Sequence, residues 1–487
     1  MARRSGIAVR GAAWLLGGQV TVVLAQLPYA AFTGRLVSPS AFGAYAVAMS
    51  TAPLVLLLAT AGIGNAAARA SELSEPQVRA LATVSLVLGA VAATIVWLLA
   101  EPWSLLWGNP GAADATRWSA VGVFPAPFLG LLVGLSRRSG QFRLLSMAST
   151  AGGFLGMAIG GASVWYFRSA ASLVTMSIVA TALPTVLLAL VVGRSARPGQ
   201  LRLDVIEHLR FGAKTVLANC IGYLAAASPQ LALSRGVGAA MLGSWNRATV
   251  TTQVPLEMIQ NSLVQVIYPE FRHDIQTTER ATGLWPDLLA LAAWVMFPLG
   301  AVAAACAYFA LPILLGPGWQ TSASLAPWIA MASVANVPVV ILGSGLEATG
   351  RFGGVWLARI GGLVIMVTTA IIALASHSVV PVIAGYLLAP IAIHSLQLRY
   401  VHRYDIFPVR VLLRVYLRVL LAAVAAGLLT TLGLTAVSAV ESLAIEILLV
   451  GGMVLAAGTT LWFARLRLPP IRIAQRYGIF KRSGRSE

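Results

Sequence analysis

Arg10-Gly11-Ala12 opens an apolar run that closes on Arg35 and is followed by Phe42-Gly43-Ala44-Tyr45. About 200 residues later, Arg210-Phe211-Gly212 opens another that closes on Arg235 and is followed by Leu242-Gly243-Ser244-Trp245. The spacing from arginine to glycine to aromatic ring is the same in both, and Gln19 of the first run falls opposite Asn219 of the second. The echo extends further: Leu105-Leu106-Trp107-Gly108-Asn109-Pro110-Gly111 returns as Leu314-Leu315-Gly316-Pro317-Gly318-Trp319, and Gly140-Gln141-Phe142 returns as Gly350-Arg351-Phe352. A membrane protein built from two like halves usually places its substrate between them, so the duplication points to transport rather than to chemistry.

Composition identifies the solvent. Hydrophobic residues make up 58% of the 487 and charged residues 10%, against roughly 25% charged in soluble domains. No stretch is polar enough for a soluble domain, so the chain reads as an all-α integral membrane unit. Apolar runs long enough to span a bilayer begin at 11–33 and end at 442–464, and they predict about fourteen transmembrane helices. Each repeat holds six helices, an even number, so the two six-helix bundles share one orientation and are expected to be related by a pseudo-twofold axis along the membrane normal. The expected divisions are 1–200 (first bundle with a basic linker), 201–404 (second bundle) and 405–487 (two accessory helices with a basic tail).

The net charge of +18 would suggest nucleic acid in a soluble protein, but here its placement decides its meaning. With the N-terminus taken as cytoplasmic, about 28 of the 34 Lys and Arg residues fall on the inner side, among them the groups from Arg3 to Arg10, Arg137 to Arg143, Arg194 to Lys214 and Arg465 to Arg485. That asymmetry sets orientation during insertion. It predicts both termini in the cytoplasm, a multi-pass membrane protein and no nucleic-acid partner. Arg35 and Arg235, matched by the repeat, read as anchors for the far ends of helices one and seven.

Polar side chains at membrane depth are costly and so are candidate functional groups. The eighth predicted helix is the richest. Gln253 follows Asn246 by seven residues, Glu257 follows by four, and Gln260 and Asn261 by a further three and four, which confines them to one helical stripe with Arg247 on its flank. The stripe predicts a wall of a hydrated cavity, the alternative being a hydrogen-bonded seam between helices. Pro255 removes a backbone donor and permits a kink. Gln19 and Gln26 of helix one, and Asn219 and Gln230 of helix seven, occupy comparable places in the two halves. Arg359 of helix eleven either snorkels to headgroups or, with Arg247, gives the interior a positive potential suited to a pyrophosphate.

Nothing in the chain reads as a catalytic or cofactor site. The five histidines lack metal-ligand spacing. Gly152, Gly156 and Gly160 are a helix-packing series rather than a nucleotide loop, and no Walker-type loop is present. Neither a metal nor a cofactor is expected.

Several segments resemble the polysaccharide transporter, or O-antigen flippase, family of the multidrug/oligosaccharidyl-lipid/polysaccharide exporter superfamily. They are Thr33-Gly34-Arg35-Leu36-Val37-Ser38-Pro39-Ser40-Ala41-Phe42-Gly43-Ala44-Tyr45, Gly238 to Arg247-Ala248 with Pro255 and Tyr268-Pro269-Glu270-Phe271, and Leu315-Gly316-Pro317-Gly318-Trp319. Where that family often has an acid in helix seven, this chain has Ser228-Pro229-Gln230. The resemblance implies a flippase of the bacterial inner membrane. It would carry a polyprenyl-pyrophosphate-linked oligosaccharide from the inner to the outer leaflet by alternating access, among membrane lipids and beside polysaccharide polymerase machinery. The competing expectations are a cation-coupled drug antiporter of the same superfamily, working through Glu257, and a membrane glycosyltransferase or polymerase. The first loop, Gly34 to Ser40, has no carboxylate or histidine for the latter.

Overall fold

The structure is a computed structural model and describes residues 2–60, 73–192, 196–200, 212–261 and 284–438, with Ile63, Ala67 and Val264. Among these residues it is all helical, with no strand. Ten segments are long and apolar enough to cross a membrane. The run at 442–464 and most of the basic linker lie outside the described residues.

The helices in chain order are α1 (Ala2–Leu36), α2 (Pro39–Thr60), α3 (Glu75–Leu106), α4 (Ala113–Val123), α5 (Ala126–Arg138), α6 (Phe142–Phe167), α7 (Ala170–Val192), α8 (Gly212–Ala232), α9 (Ala239–Ala248), α10 (Leu284–Leu315), α11 (Gln320–Ala348), α12 (Phe352–Ser376), α13 (Val380–Arg403) and α14 (Val409–Ser438). Local chemistry sets their ends. α3 opens with the Ser74 N–H donating to Gln77 Oε1 at 3.0 Å, and the turns after α3 and α10 place Gly108 at φ 62° and Gly316 at φ 101°, a conformation open to glycine at no steric cost. These two glycines are related by the sequence repeat.

The apolar run at 114–136 predicts one helix, whereas the chain forms α4 and α5 with a turn at Phe124-Pro125. Pro125 and Pro127 supply no N–H to the helical ladder. Gly89 of α3 admits the freed region, since a Cβ there would run into the Phe124 carbonyl. α9 departs from ideal geometry in a different way. It passes into a π-helical turn, Thr249–Gln253, in which the Val254 N–H donates to Thr249 O, and then continues helically to Asn261.

The chain divides into two compact units. Unit 1 holds Met1–Arg247 with two inserts, Leu314–Trp319 and Ala370–Val379. Its helices close through small residues, as expected where lipid removes the hydrophobic drive between apolar helices and contact distance decides. Gly156 and Gly160 of α6 abut Met176 of α7, Gly152 abuts Pro184, and Gly18 of α1 abuts Ser146 and Thr150 of α6. Leu81, Leu131, Leu132 and Leu188 belong to one of its apolar clusters. Unit 2 holds Ala248–Ile313, Gln320–Thr369 and Val380–Glu487. Its core gathers Trp285, Met296, Val337, Ile341 and Leu412, with Gly300 against Val334 and Gly385 against Thr369. A buried polar node ties α14 to α13, in which His394 faces Tyr416 Oη at 3.1 Å and Gln397 donates to Val339 O at 3.1 Å.

Candidate functional site

The two duplicated segments meet inside unit 1. Gly43 lies against the Ala239 backbone and Gly243 against the Pro39 carbonyl, each so close that a Cβ would collide with main-chain atoms. The repeat-related glycines therefore have one physical role, which is to let α2 and α9 touch backbone to backbone. Neighbouring aromatic rings fill the crossing. Phe42 meets Trp319 edge-on at 5.3 Å between ring centres and Tyr45 at 6.4 Å.

Arg247 is buried at 6% exposure. Its guanidinium carbon sits 4.1 Å above the Phe42 ring centre, and its Nη2 donates to Asn246 Oδ1 at 3.1 Å. Tyr29 and Tyr45 lie within electrostatic reach of it. The Tyr29 hydroxyl is buried without a hydrogen-bond partner among the described residues. A desolvated cation over an aromatic face is held by roughly 2 kcal/mol or more, so this cluster stores a positive charge in a largely dry, aromatic setting.

Around this cluster the arginines of the repeat bind crosswise. Arg35, at the end of α1, donates from Nε to Leu314 O of the second repeat at 3.4 Å. Trp319 of that loop donates from Nε1 to Gly34 O at 2.8 Å. Arg235, after α8, donates from Nη1 to Leu106 O at 2.9 Å and Leu105 O at 3.4 Å, in the matching loop of the first repeat. His377 donates from Nδ1 to Gly236 O at 2.8 Å. Each repeat thus reaches its first-helix arginine into the other repeat's loop, and this is why Leu314–Trp319 and Ala370–Val379 belong to unit 1. Deeper in the unit, Tyr223 of α8 donates to Ser50 O of α2 at 2.9 Å, and Trp103 of α3 donates to Ser50 Oγ at 3.2 Å.

The remaining candidates are distributed as follows. In unit 2, Gln253 Nε2 donates to Glu257 Oε1 at 2.6 Å. Gln260 is buried, Asn261 exposed, and Gln253 and Glu257 are half-buried. Gln253 is the last residue of the π turn Thr249–Gln253, and Glu257, Gln260 and Asn261 follow it in the helix. Thr252 and Thr251 occupy part of that turn by donating to Ala248 O at 2.6 and 3.2 Å. In unit 1, Gln26 is half-buried, and Gln230 bonds its own helix at Ala226 O at 3.4 Å. Gln19 and Asn219 stand on α1 and α8 with side chains outside the described set. Arg359 is exposed on α12.

Sequence reasoning singled out Arg247 and Asn246 but not their supports, Phe42, Tyr45 and Trp319, nor the tie made by His377. The repeat itself carried the signal, because Phe42, Arg235 and the Trp319 loop are all repeat positions. No group of three or more His, Cys, Asp or Glu able to hold a metal occurs among the described residues.

Residues 33–324 match the family model described as polysaccharide biosynthesis protein. Lipopolysaccharide biosynthesis protein WzxC of Escherichia coli (strain K12) is 23% identical over 317 residues, 64% of this chain. The chain spans 64% of the length of that curated relative. Among solved structures, the lipid II flippase MurJ in an inward closed conformation aligns with a TM-score of 0.69 at 11% identity, over 92% of this chain and 98% of that one. A multidrug resistance MATE family transporter of the MOP superfamily, inward-facing, aligns with a TM-score of 0.55 at 12% identity, over 79% and 95%. The fold is that of these transporters.

Proposed function

We propose that this chain, which belongs to the polysaccharide biosynthesis protein family, is a flippase that carries polyprenyl-pyrophosphate-linked oligosaccharide from the inner to the outer leaflet of a bacterial inner membrane, with both termini in the cytoplasm. A sugar and pyrophosphate head cannot cross hydrocarbon unaided, because burying unpaired charge costs tens of kcal/mol in the continuum limit. A protein that presents polar and cationic groups first to one leaflet and then to the other removes that barrier without a reaction. The observation that carries the proposal is the crossed clasp of Arg35 and Arg235 on the opposite repeat's loops, in the same compact unit as the buried Arg247.

In this reading the clasp seals the outer side, and alternating access requires it to part. Arg247 then exchanges Phe42 and Asn246 for pyrophosphate oxygens, a ligand whose geometry suits a guanidinium. Gln253, Glu257, Gln260 and Asn261 offer hydrogen bonds to the sugar, with Gln19, Gln26, Asn219 and Gln230 as further contacts and Arg359 as a charge near the entry. The released product passes to polysaccharide polymerase machinery. Deleting the gene and analysing lipid-linked intermediates tests the proposal: they accumulate on the cytoplasmic side, and an unchanged distribution refutes it. Substituting Arg247→Ala tests the assignment of that residue, which fails if translocation is unaffected.

One observation favours a second reading. Glu257 is a half-buried carboxylate paired to Gln253, in a fold shared with multidrug transporters. Cation-coupled antiport predicts a flux that depends on sodium or pH and that Glu257→Gln abolishes.

A further inference from the structure

α14 carries an unusual charge pattern for a helix long and apolar enough to span a membrane. Arg410, Arg414 and Arg418 are all exposed and follow one another at four-residue intervals, within an arc of about 80° on the helix. The same face continues as the exposed Leu421, Leu428 and Leu432. The opposite face is the packed one, where Leu412 and Val419 are buried and Tyr416 meets His394. Immediately before it, α13 ends with exposed Arg399 and Arg403. None of these five arginines makes an ion pair or hydrogen bond among the described residues. The acid between them is a single exposed aspartate, Asp405.

A topological signal explains charges at a helix end. It does not explain Arg418, which lies about 13 Å along the helix from Val409, flanked by exposed Leu417, Leu420 and Leu421. A guanidinium at that depth beside hydrocarbon is costly unless its side chain extends back to an anion. Because the arginine face merges into the leucine face, what covers the first part also covers the second. A partner whose head is anionic and whose body is hydrocarbon satisfies both.

The geometry points to a docking surface for anionic phospholipid on the first three turns of α14, with Arg410, Arg414 and Arg418 holding the headgroup phosphate and Leu421, Leu428 and Leu432 lying against its acyl chains. Basic side chains at a membrane surface each contribute about a fivefold gain in affinity for anionic lipid, and three together about a hundredfold.

The test is native mass spectrometry of the purified full chain titrated with phosphatidylglycerol, phosphatidylcholine or a polyprenyl pyrophosphate. It compares the wild type with R410Q/R414Q/R418Q and with the charge-retaining R410K/R414K/R418K. The expected result is phosphatidylglycerol binding well above phosphatidylcholine in the wild type, largely kept by the lysine variant and lost by roughly a hundredfold in the glutamine variant. Equal retention of phosphatidylglycerol by the glutamine variant overturns the proposal, as does a loss confined to polyprenyl pyrophosphate, which would assign the surface to substrate loading. Should the glutamine variant fail to fold, raising the salt on the wild type serves instead. Phosphatidylglycerol binding indifferent to salt has the same overturning force.

Discussion

Replacing Gly43 with alanine adds one methyl group at the point where α2 crosses α9. The built Cβ runs into the Ala239 carbonyl and approaches its Cα. These are main-chain atoms, so no rotamer change can relieve the overlap and the two helices must separate. Overpacking of this kind costs roughly 1–3 kcal/mol, and in the proposed cycle, where the contact is made only while the clasp is closed, that energy falls on the closed state. A change of this size shifts a two-state equilibrium by roughly 5- to 150-fold. Spin labels at Ser40 and Ala240, which are exposed and repeat-related, measure the separation by electron double resonance in lipid nanodiscs. Gly43→Ala is expected to move the distance distribution toward a longer component, and Gly243→Ala, which meets the Pro39 carbonyl, to do the same. Gly130→Ala, whose Cβ meets nothing within 4 Å, controls for helix propensity and leaves the distribution in place. If Gly43→Ala matches that control, the crossing is not a point of closure and the reasoning fails.

Trp319→Phe removes the indole bond to Gly34 O while keeping the ring against Phe42. It should cost about 1 kcal/mol and lengthen the same label distance less than Gly43→Ala does. Arg235→Gln withdraws two carbonyl bonds at an exposed side chain and should leave thermal stability within about 1 kcal/mol while speeding cysteine labelling of positions 105 and 106, measured by gel shift. His394→Phe strands the Tyr416 hydroxyl and the Gln397 side chain beneath α14, with an expected loss of about 1–3 kcal/mol in thermal unfolding, against a smaller loss for His394→Gln. Gly160→Leu, placed on the Met176 backbone, should block folding of the α6–α7 pair and abolish accumulation of the protein in membranes.

Most of the helices were legible because lipid demands long apolar runs, and the duplication was legible because arginine, glycine and aromatic residues recur at fixed offsets. The break between α4 and α5 was only half legible. Pro125 and Pro127 announce a disturbed ladder, but Gly89, which makes room for it, belongs to another helix. The π turn left no trace in the periodicity of α9, because its i−5 bonding is a backbone choice that Thr249 to Gln253 accommodate without advertising it. Arg35 and Arg235 could be paired by the repeat, yet their acceptors are main-chain carbonyls of Leu314, Leu105 and Leu106, chemically identical to every other carbonyl in the chain. His377 was passed over for the same reason. Its role is a tie to Gly236 O, and ligand spacing gives no hint of that.

The most direct measurement is movement of a polyprenyl-pyrophosphate-linked oligosaccharide across proteoliposomes, read by its exposure to a membrane-impermeant glycosidase. The proteoliposomes carry protein with Ser40→Cys and Ala240→Cys. Reduced protein is expected to move the lipid, cross-linked protein to stop, and reductant to restore movement. Movement that continues with the two positions locked together, or that is no faster than in empty liposomes, would contradict a flippase that works by opening the crossed clasp.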